Sequence, residues 1–455
     1  MKKLLTAFLI CMWVLTTAVA CAWVSPQEAA MLGGRDMTPM GAKRAGNAAG
    51  TIPPWTGGIT MPPAEYMPGT CHPDPYAGDE ILHTVTVENL PEHEQFLSAG
   101  HQALLRAYPK SCRFNIYPTH RSASYPDNVY DAVKANATSA QLIRAGKGGV
   151  ANAAIGPPFP IPQNGVEVIW NHNLRWRGLR VSYTEGLASV THKGRYGIIY
   201  SAVEVAFPYA FPPDSPFRLK YPNMILALRS KVIQPAQLAG QGSLILEPLN
   251  QTRSRRKVWT YNPNLRRVLR SPFFAYGKPV PNTDSLQTVD DLGLFNGPPD
   301  RFEWRLIGKR ELYVPYNAYR LDSAQVKYNA FLLPGHINPD PARYELHRVW
   351  VVEGNLKPEK EHVYSRRVFF VDEDSWQILV SESYDLEGNL WRVAEAHVIN
   401  YYEVPLLSDT LQVFYDLQEG RYLVRGLDNH LRQPRYRNDA DPREFSPNAL
   451  IYYIR

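Results

Sequence analysis

Cysteine is scarce in this chain of 455 residues, which has only four. Cys11 and Cys21 fall within the first 22 residues, so Cys71 and Cys112 are the pair that remains for the main domain. No C-x-x-C spacing occurs, and this disfavours a metal or redox pair. An isolated pair in an exported protein is expected to be oxidised, so we predict a Cys71–Cys112 disulfide.

Known catalytic motifs are also missing. The sequence contains no G-x-S-x-G elbow, no H-E-x-x-H helix, no G-x-x-x-x-G-K-[ST] loop and no G-x-G-x-x-G after a strand. Histidines of the strand-rich half have no metal-ligand spacing; they are His336, His347, His362 and His397. A metal site would need two of them to converge with Glu345 or Glu395. We predict no catalytic residues, no metal and no cofactor.

A concentrated basic patch is absent as well. The chain has 49 basic and 43 acidic residues, and its formal net charge of +6 is spread along the sequence. Two short clusters, at 253–257 and 266–267, are typical of solvated strand ends. Nucleic acid is therefore excluded as an expected partner.

The first 22 residues have the three parts of a secretory signal peptide. Lys2 and Lys3 precede an apolar run over 4–15, and small residues follow over 16–22. Cleavage before Trp23 would give a soluble periplasmic protein, which we favour. Cleavage before Cys21 would give an outer-membrane lipoprotein tethered through that residue.

Proline and tyrosine are abundant, with 39 and 27 residues, and long helical periodicity is rare. Residues 23–80 are rich in glycine and proline, and we predict an extended arm that Trp55 pins to a main domain over 81–455. Helices are predicted over 92–108, 126–145 and 165–177. Strands are predicted over 179–184, 196–206 and 225–232. Between 344 and 426, alternating apolar residues and Gly, Asn or Asp turns predict an antiparallel meander.

These elements predict an α+β fold of mostly antiparallel sheet. A sheet with one apolar face needs a cover, and the helices can provide it. A curved sheet around helices also encloses a cavity suited to a hydrophobic ligand. Candidate binding residues are three tryptophans as wall and two arginines as a clamp for an anionic head group: Trp350, Trp376, Trp391, Arg366 and Arg392. The alternative is that the tryptophans are core and the arginines form cross-strand pairs.

Several strings of the sequence together resemble one protein family. They include TPMGAKRAGN at 38–47, GTIPPWTGG at 50–58, FPIP at 159–162 with WNH at 170–172, YRLDS at 319–323, RYELHRVWVVE at 343–353, DEDSW at 372–376 and WRVAEA at 391–396. The chain is similar here to the proteobacterial family called domain of unknown function 1329. The resemblance implies a Gram-negative periplasmic or outer-membrane location and an incomplete antiparallel barrel capped by helices, similar to the lipoprotein-localisation factors LolA and LolB. It also implies an exporter of the resistance-nodulation-division type as a partner, and it supplies no catalytic residues.

Three functions remain open from the sequence. A non-enzymatic carrier of a lipid or other hydrophobic molecule is preferred. A structural or adaptor protein at the outer membrane, docking through the proline-rich arm, is the second, and a hydrolase built on the same cavity is the third. A cavity with apolar walls favours the carrier, a filled interior favours the adaptor, and a convergent acid–base pair in a pocket favours the hydrolase.

Overall fold

The computed structural model describes residues 24–271 and 276–455. The predicted signal peptide and Cys21 lie outside these residues. The helices are α1 Pro26–Ala30, α2 Leu90–His93, α3 Ala99–Ala107, α4 Asp127–Ser139, α5 Gly165–Leu174, α6 Pro216–Lys220, α7 Tyr319–Asp322, α8 Tyr328–Phe331 and α9 Pro447–Ile454. Within the described residues, none of the helices has the length and apolarity needed to cross a membrane.

Strands make up the larger part of the regular structure. They are β1 His83–Val85, β2 Phe114–Ile116, β3 Gln141–Leu142, β4 Val150–Ala151, β5 Arg180–Val190, β6 Ile198–Ala206, β7 Met224–Gln234, β8 Gly242–Pro248, β9 Lys257–Asn262, β10 Arg267–Arg270, β11 Phe302–Pro315, β12 Tyr344–Leu356, β13 Arg366–Asp372, β14 Ile378–Tyr384, β15 Leu390–Tyr401, β16 Leu406–Asp416, β17 Arg421–Arg425 and β18 Arg435–Arg437.

One long antiparallel sheet organises the molecule. Its order is β11-β12-β13-β14-β15-β16-β17-β5-β6-β7-β8-β9-β10, and β18 pairs with the start of β5. β1 and β2 extend the sheet beside the first residue of β12. Among the described strands, β10 and β11 do not pair with each other, so the sheet remains open. The predicted fold class, a mostly antiparallel sheet in an incomplete barrel with helices, is confirmed.

The β17–β5 pairing joins the two halves of the chain. The later half supplies the predicted meander from β12 to β17, and the earlier half supplies β5 to β10. Val424 opposes Ala188 at this seam, across more than half of the sequence length. Such long-range pairing is set by the packing of the whole molecule rather than by any local turn.

The meander is covered on both faces, which differs from the one apolar face expected. Every residue of β14 is buried, and so is nearly every residue of β15. On one side, α3 packs on β15. Gly100 of α3 lies so close to Val393 that a larger residue at this position would clash with it. The space beneath the predicted helical cover is therefore filled by side chains. A second, smaller core lies between β6–β9 and the C-terminal α9, centred on Phe217, Leu244 and Leu450.

The arm over 24–80 is held against the main domain by two arginines that follow it in the sequence. Arg121 makes a bidentate pair with Asp374, with N–O distances of 2.7 and 2.8 Å, and also donates to backbone carbonyls between 43 and 53. Arg348 pairs with Glu373 and donates to the carbonyls of 43 and 45. The same guanidinium groups therefore bind both a carboxylate and the arm backbone.

The predicted disulfide is wrong for this structure, in which both cysteines are free thiols. Cys71 lies on the arm beside the loop after β17, where it accepts a hydrogen bond from Gln433 at 3.4 Å. Cys112 is buried after α3, and its backbone N–H donates to Tyr108. The two thiols have separate surroundings, and sequence spacing carries no information on such geometry.

Alkylation should distinguish free thiols from a disulfide. In urea without reductant, we expect iodoacetamide to label both Cys71 and Cys112. In the folded protein Cys112 should stay unlabelled, because burial raises the pKa of its thiol to about 12 and the thiolate is the reactive form. Mass spectrometry of the peptides reads out both states. Labelling that appears only after reduction would mean that the two residues are bonded.

Removal of the Arg121 guanidinium should release the arm. We expect Arg121→Met to lower the free energy of unfolding by about 3–5 kcal/mol, because it leaves the buried Asp374 without its partner. Urea titration measures this loss. Arg305→Met is the matched control: Arg305 also pairs with a carboxylate, that of Glu353, but its side chain is 69% exposed, so the loss should be at most about 1 kcal/mol. Equal losses would show that the buried pair does not hold the arm.

Candidate ligand-binding cavity

A cavity of about 160 Å³ lies at the seam between the two halves of the sheet. Its floor is formed by side chains of β5, β6 and β7 that point to one face because alternate residues of a strand share a face. The apolar floor residues are Val181, Val205, Phe207, Leu226 and Leu228. Tyr401 and Tyr436 add aromatic surface from β15 and β18. The floor is therefore hydrophobic, and it is built mainly by the earlier half of the chain.

The rim of the cavity carries two arginines, Arg175 and Arg177, from the segment between α5 and β5. α5 ends at Leu174, and Arg175 is its C-cap with extended backbone angles. The chain then turns at Gly178, whose φ of +79° favours glycine. In an extended segment alternate side chains point the same way, so Arg175 and Arg177 face the cavity together.

Each guanidinium is held by carbonyls from the last turn of α5. Arg175 donates from Nη1 to the carbonyl of His172 at 2.6 Å, and Arg177 donates from Nη2 to that of Asn173 at 3.2 Å. Arg177 also stacks over the ring of Phe207, 4.4 Å from its centroid. Cations are favoured at a helix C-terminus, where carbonyls lack partners. These contacts hold both side chains in place but use only one terminal nitrogen of each guanidinium as a donor to a carbonyl.

Burial shapes the electrostatics of this rim. It lowers the pKa of Arg175 to about 10. Burial, together with repulsion from Arg175, lowers the pKa of Arg177 well below its ordinary value. The pKa of the neighbouring His172 is also lowered, first by burial and then by the two arginines, so this imidazole stays neutral. The negative charge of Asp409 acts in the opposite direction on the pKa of both arginines and offsets part of this lowering.

The acidic residues of the cavity have other partners. Glu185 pairs with Arg425 across the seam, and Asp409 accepts a hydrogen bond from Gln412 at 2.6 Å. Burial and the nearby Asp322 raise the pKa of Asp428 well above its ordinary value, which favours its protonated form. The cavity thus combines an apolar floor with a rim of mixed charge.

The predicted tryptophans lie elsewhere. Trp376 is fully buried, donates to the carbonyl of Met40 at 3.0 Å and stacks on the half-buried Trp350 with centroids 6.2 Å apart. Trp391 is apart from them and donates to Asp416 at 2.9 Å. None of the three lines the cavity at the seam. They pack between the arm and the sheet or within the sheet, which corresponds to the alternative given above that the tryptophans are core residues.

The two predicted clamp arginines are also away from the cavity. Arg366 pairs with Glu353 on the neighbouring strand at 3.3 Å and stacks over Tyr384. Arg392 is buried, and it lies 3.6 Å from Asp416 and donates to Tyr364. Their contacts are those of cross-strand pairs. Sequence reasoning missed Arg175 and Arg177 instead, which fall in the last turn of the helix predicted over 165–177, whereas α5 ends at Leu174.

One cluster among the described residues has metal-ligand chemistry: His347, Asp372 and Asp374, whose ligand atoms lie within 4.8 Å of one another. Asp372 accepts hydrogen bonds from Ser375 and a tyrosine, and its pKa is raised to about 6 by burial and by Asp374. Arg121 already binds Asp374 through both oxygens. The guanidinium of Arg121 therefore takes the place that a metal ion would have beside Asp374, and we interpret the cluster as part of this ion pair.

Comparisons with known proteins give both sequence and structural relatives. An uncharacterised protein of Pseudomonas aeruginosa is 40% identical over 450 residues, which are 99% of this chain and 98% of that protein. A putative outer membrane lipoprotein-sorting protein domain of Vibrio parahaemolyticus is similar in structure, with a TM-score of 0.44, 14% identity, and coverage of 63% of this chain and 98% of that one.

A second solved structure, a DUF1329 family protein of Desulfovibrio piger, has a TM-score of 0.41 and 16% identity, with 60% of this chain and 92% of that chain covered. A LolA superfamily protein of Nitrosomonas europaea has a TM-score of 0.37 and 11% identity, with 63% and 98% covered. The family model described as "Protein of unknown function (DUF1329)" matches residues 84–451, and with the close Pseudomonas relative this shows that the chain belongs to the DUF1329 family.

Proposed function

We propose that the protein is a periplasmic carrier of a hydrophobic or amphipathic molecule and acts without catalysing a reaction. The observation that supports this proposal is the cavity at the seam, with the apolar side chains of β5, β6 and β7 as its floor. Ligand sites are typically concave and mostly apolar, with a few polar groups that orient the ligand. The interior under α3 is filled, so the seam replaces the concave face predicted from the sequence as the proposed site.

The size of the cavity limits what it can enclose. A volume of about 160 Å³ is close to that of an engineered cavity that accommodates benzene, about 150 Å³. Burying on the order of six carbons at about 0.8 kcal/mol each gives roughly 5 kcal/mol, which corresponds to a sub-millimolar dissociation constant. Binding of this strength is readily reversible, as a carrier requires.

The cellular setting is part of the proposal. The signal peptide expected over 1–22 supports export, and the family resemblance supports a periplasmic or outer-membrane location. We propose that an inner-membrane exporter of the resistance-nodulation-division type is the partner that delivers or receives the ligand. The filled space under α3 is the observation that favours the adaptor, and we prefer the carrier because of the cavity at the seam.

A charge on the floor of the cavity should abolish binding of an apolar probe. N-phenyl-1-naphthylamine is uncharged and becomes fluorescent in apolar surroundings, and we expect the wild type to bind it through its phenyl ring, the part of the probe that matches the enclosed volume. Leu228→Glu should weaken this binding by at least about tenfold, because the new carboxylate would have to be desolvated. Leu269→Glu is the matched control, since Leu269 is a strand leucine that is 45% exposed on β10.

A filling substitution separates loss of the cavity from loss of the fold. Val205→Phe adds a ring within the apolar floor and should also weaken the probe while the thermal melt stays close to that of the wild type. A folded wild type that gives no probe fluorescence, and shows no co-purified ligand by native mass spectrometry, would rule out the carrier.

The N-terminal alternatives are decided by lipid labelling. We expect no palmitate on the wild type, because cleavage before Trp23 removes Cys21 with the signal peptide. Radiolabelled palmitate followed by fractionation measures this. Label that is present on the wild type and absent from Cys21→Ser would show the tethered form instead.

A further inference from the structure

We propose that the ligand of the cavity bears an oxyanion, a carboxylate or a phosphate monoester, and that Arg175 and Arg177 bind it. This inference deepens the proposed function and rests on it. It assigns the ligand class as an apolar group with an anionic end, and it assigns the anion site to the segment between α5 and β5.

The pairing of buried arginines singles out Arg175. Six other arginines are buried in the described chain, and each has a carboxylate oxygen within the 4.0 Å limit of an ion pair; they are Arg121, Arg180, Arg343, Arg348, Arg367 and Arg392. Arg175 is only 6% exposed, yet among the described residues it has no carboxylate within that distance. A buried charge without a counter-ion is costly, and an anionic ligand would remove that cost.

Unused donors point to the same site. Arg175 forms hydrogen bonds only through Nη1 and Arg177 only through Nη2, so among the described residues Nη2 of Arg175 and Nη1 of Arg177 have no partner. Unlike the Nε–H groups of both residues, these two groups are not sealed from the cavity. Each guanidinium has five N–H donors and spends few of them on the carbonyls of α5. Both side chains line the cavity, so unspent donors lie beside its apolar floor. An oxyanion accepts such donors through several oxygens at once.

Among the described residues, none of the carboxylates of the cavity forms an ion pair with Arg175 or Arg177. Glu185 is engaged by Arg425, which also donates to Gln287 at 3.1 Å. Asp409 is engaged by Gln412, and it lies beyond ion-pair distance of both rim arginines. Asp428 has one buried oxygen without a partner, which suits a protonated carboxyl group that can also donate to a ligand. Arg175 and Arg177 therefore lack a direct carboxylate partner among the described residues, while Asp409 offsets part of their charge from beyond ion-pair distance.

The apolar floor fixes where the rest of the ligand would lie. Arg177 stacks over Phe207, so the anion site and the hydrophobic floor are in direct contact. The head group would sit on the guanidinium groups, and the apolar part would lie on Val205 and Leu226. The small volume selects for a short chain or a single ring in the enclosed part.

Ligands that share one tail and differ in the head test this assignment. Octanoate, octyl phosphate, octanol and octyltrimethylammonium are competed against N-phenyl-1-naphthylamine, at a pH where the carboxylate is ionised. We expect one or both anions to bind at least about tenfold more tightly than octanol, and the cation to bind most weakly. The octanoate and octyl phosphate arms distinguish a carboxylate ligand from a phosphate ligand.

Substitution of Arg177 tests whether the rim arginines cause the preference for the anions over octanol. Arg177→Gln should reduce the preference for the anion over octanol by about tenfold, while affinity for octanol changes little. Arg177→Lys keeps the charge but not the planar fork, and should restore part of the preference. Arg366→Gln is the matched control, because that arginine is half-buried, pairs with Glu353 and lies outside the cavity.

The outcomes separate this inference from the proposed function. If neither octanoate nor octyl phosphate binds the wild type more tightly than octanol, the anion site is refuted and the carrier stands. If neither ligand nor the fluorescent probe binds, the carrier itself fails. If the preference survives in Arg177→Gln and Arg175→Gln but is lost in Arg366→Gln, the clamp lies on the meander instead. The wild-type series decides the anion preference even where a variant does not fold.

Discussion

Buried guanidinium groups that must be neutralised are the constraint on which this structure depends. Arg121 and Arg348 lie between the arm and the sheet, and each needs both a carboxylate and backbone carbonyls to replace the water it has lost. Asp374 and Glu373 come from the turn after β13, and the carbonyls come from the arm. Departure of the arm would break the hydrogen bonds from both guanidinium groups to its carbonyls, so a segment with little regular structure is nonetheless fixed.

The rim of the cavity differs from the rest of the described structure, because its buried Arg175 has no carboxylate partner within ion-pair distance. Elsewhere the chain provides a carboxylate for each buried arginine, often on the neighbouring strand. Arg175 instead contacts the carbonyl and the ring of His172, and among the described residues it has no carboxylate within ion-pair distance. Proteins tolerate such local costs where a site is kept ready for a ligand, because the rest of the core supplies the stability. The cost is confined to one segment, between a helix end and a strand start.

Local patterns of the sequence predicted the meander but not its neighbours. The turns around Gly388 and Gly420 join successive strands as expected, whereas the turn expected at Gly354 is wrong, because this residue lies inside β12 and pairs on both sides. The order from β12 to β17 still follows from nearest-neighbour pairing. β11 was missed, although it pairs along the whole of β12, because charged residues over 303–311 mask the alternation on this edge strand. The helix predicted over 92–108 is broken before α3, where Ser98 caps the new helix.

The candidate site was harder to predict because it is made by distant parts of the chain. Trp350, Trp376 and Trp391 were chosen as large apolar residues of the meander, but their indole N–H groups and flat rings are equally suited to packing. The real cavity needs β5 to lie beside β17, a contact that no local signal specifies. Arg177 is the last residue of the helix predicted over 165–177, and its lack of a carboxylate partner among the described residues could be known only from the folded structure.

The position of the cavity at the β17–β5 seam has a mechanical consequence. Its floor comes from β5, β6 and β7, whereas Arg425, Asp428 and Tyr436 come from the end of the chain. A ligand that contacts both sides would stabilise the pairing of the two halves, since whatever binds only the assembled state shifts the equilibrium toward it. Conversely, a small opening at the seam would weaken contacts on both sides of the ligand at once. A carrier needs such a route for release, and a seam between distant segments provides it more readily than the doubly covered meander, whose strands are buried on both faces.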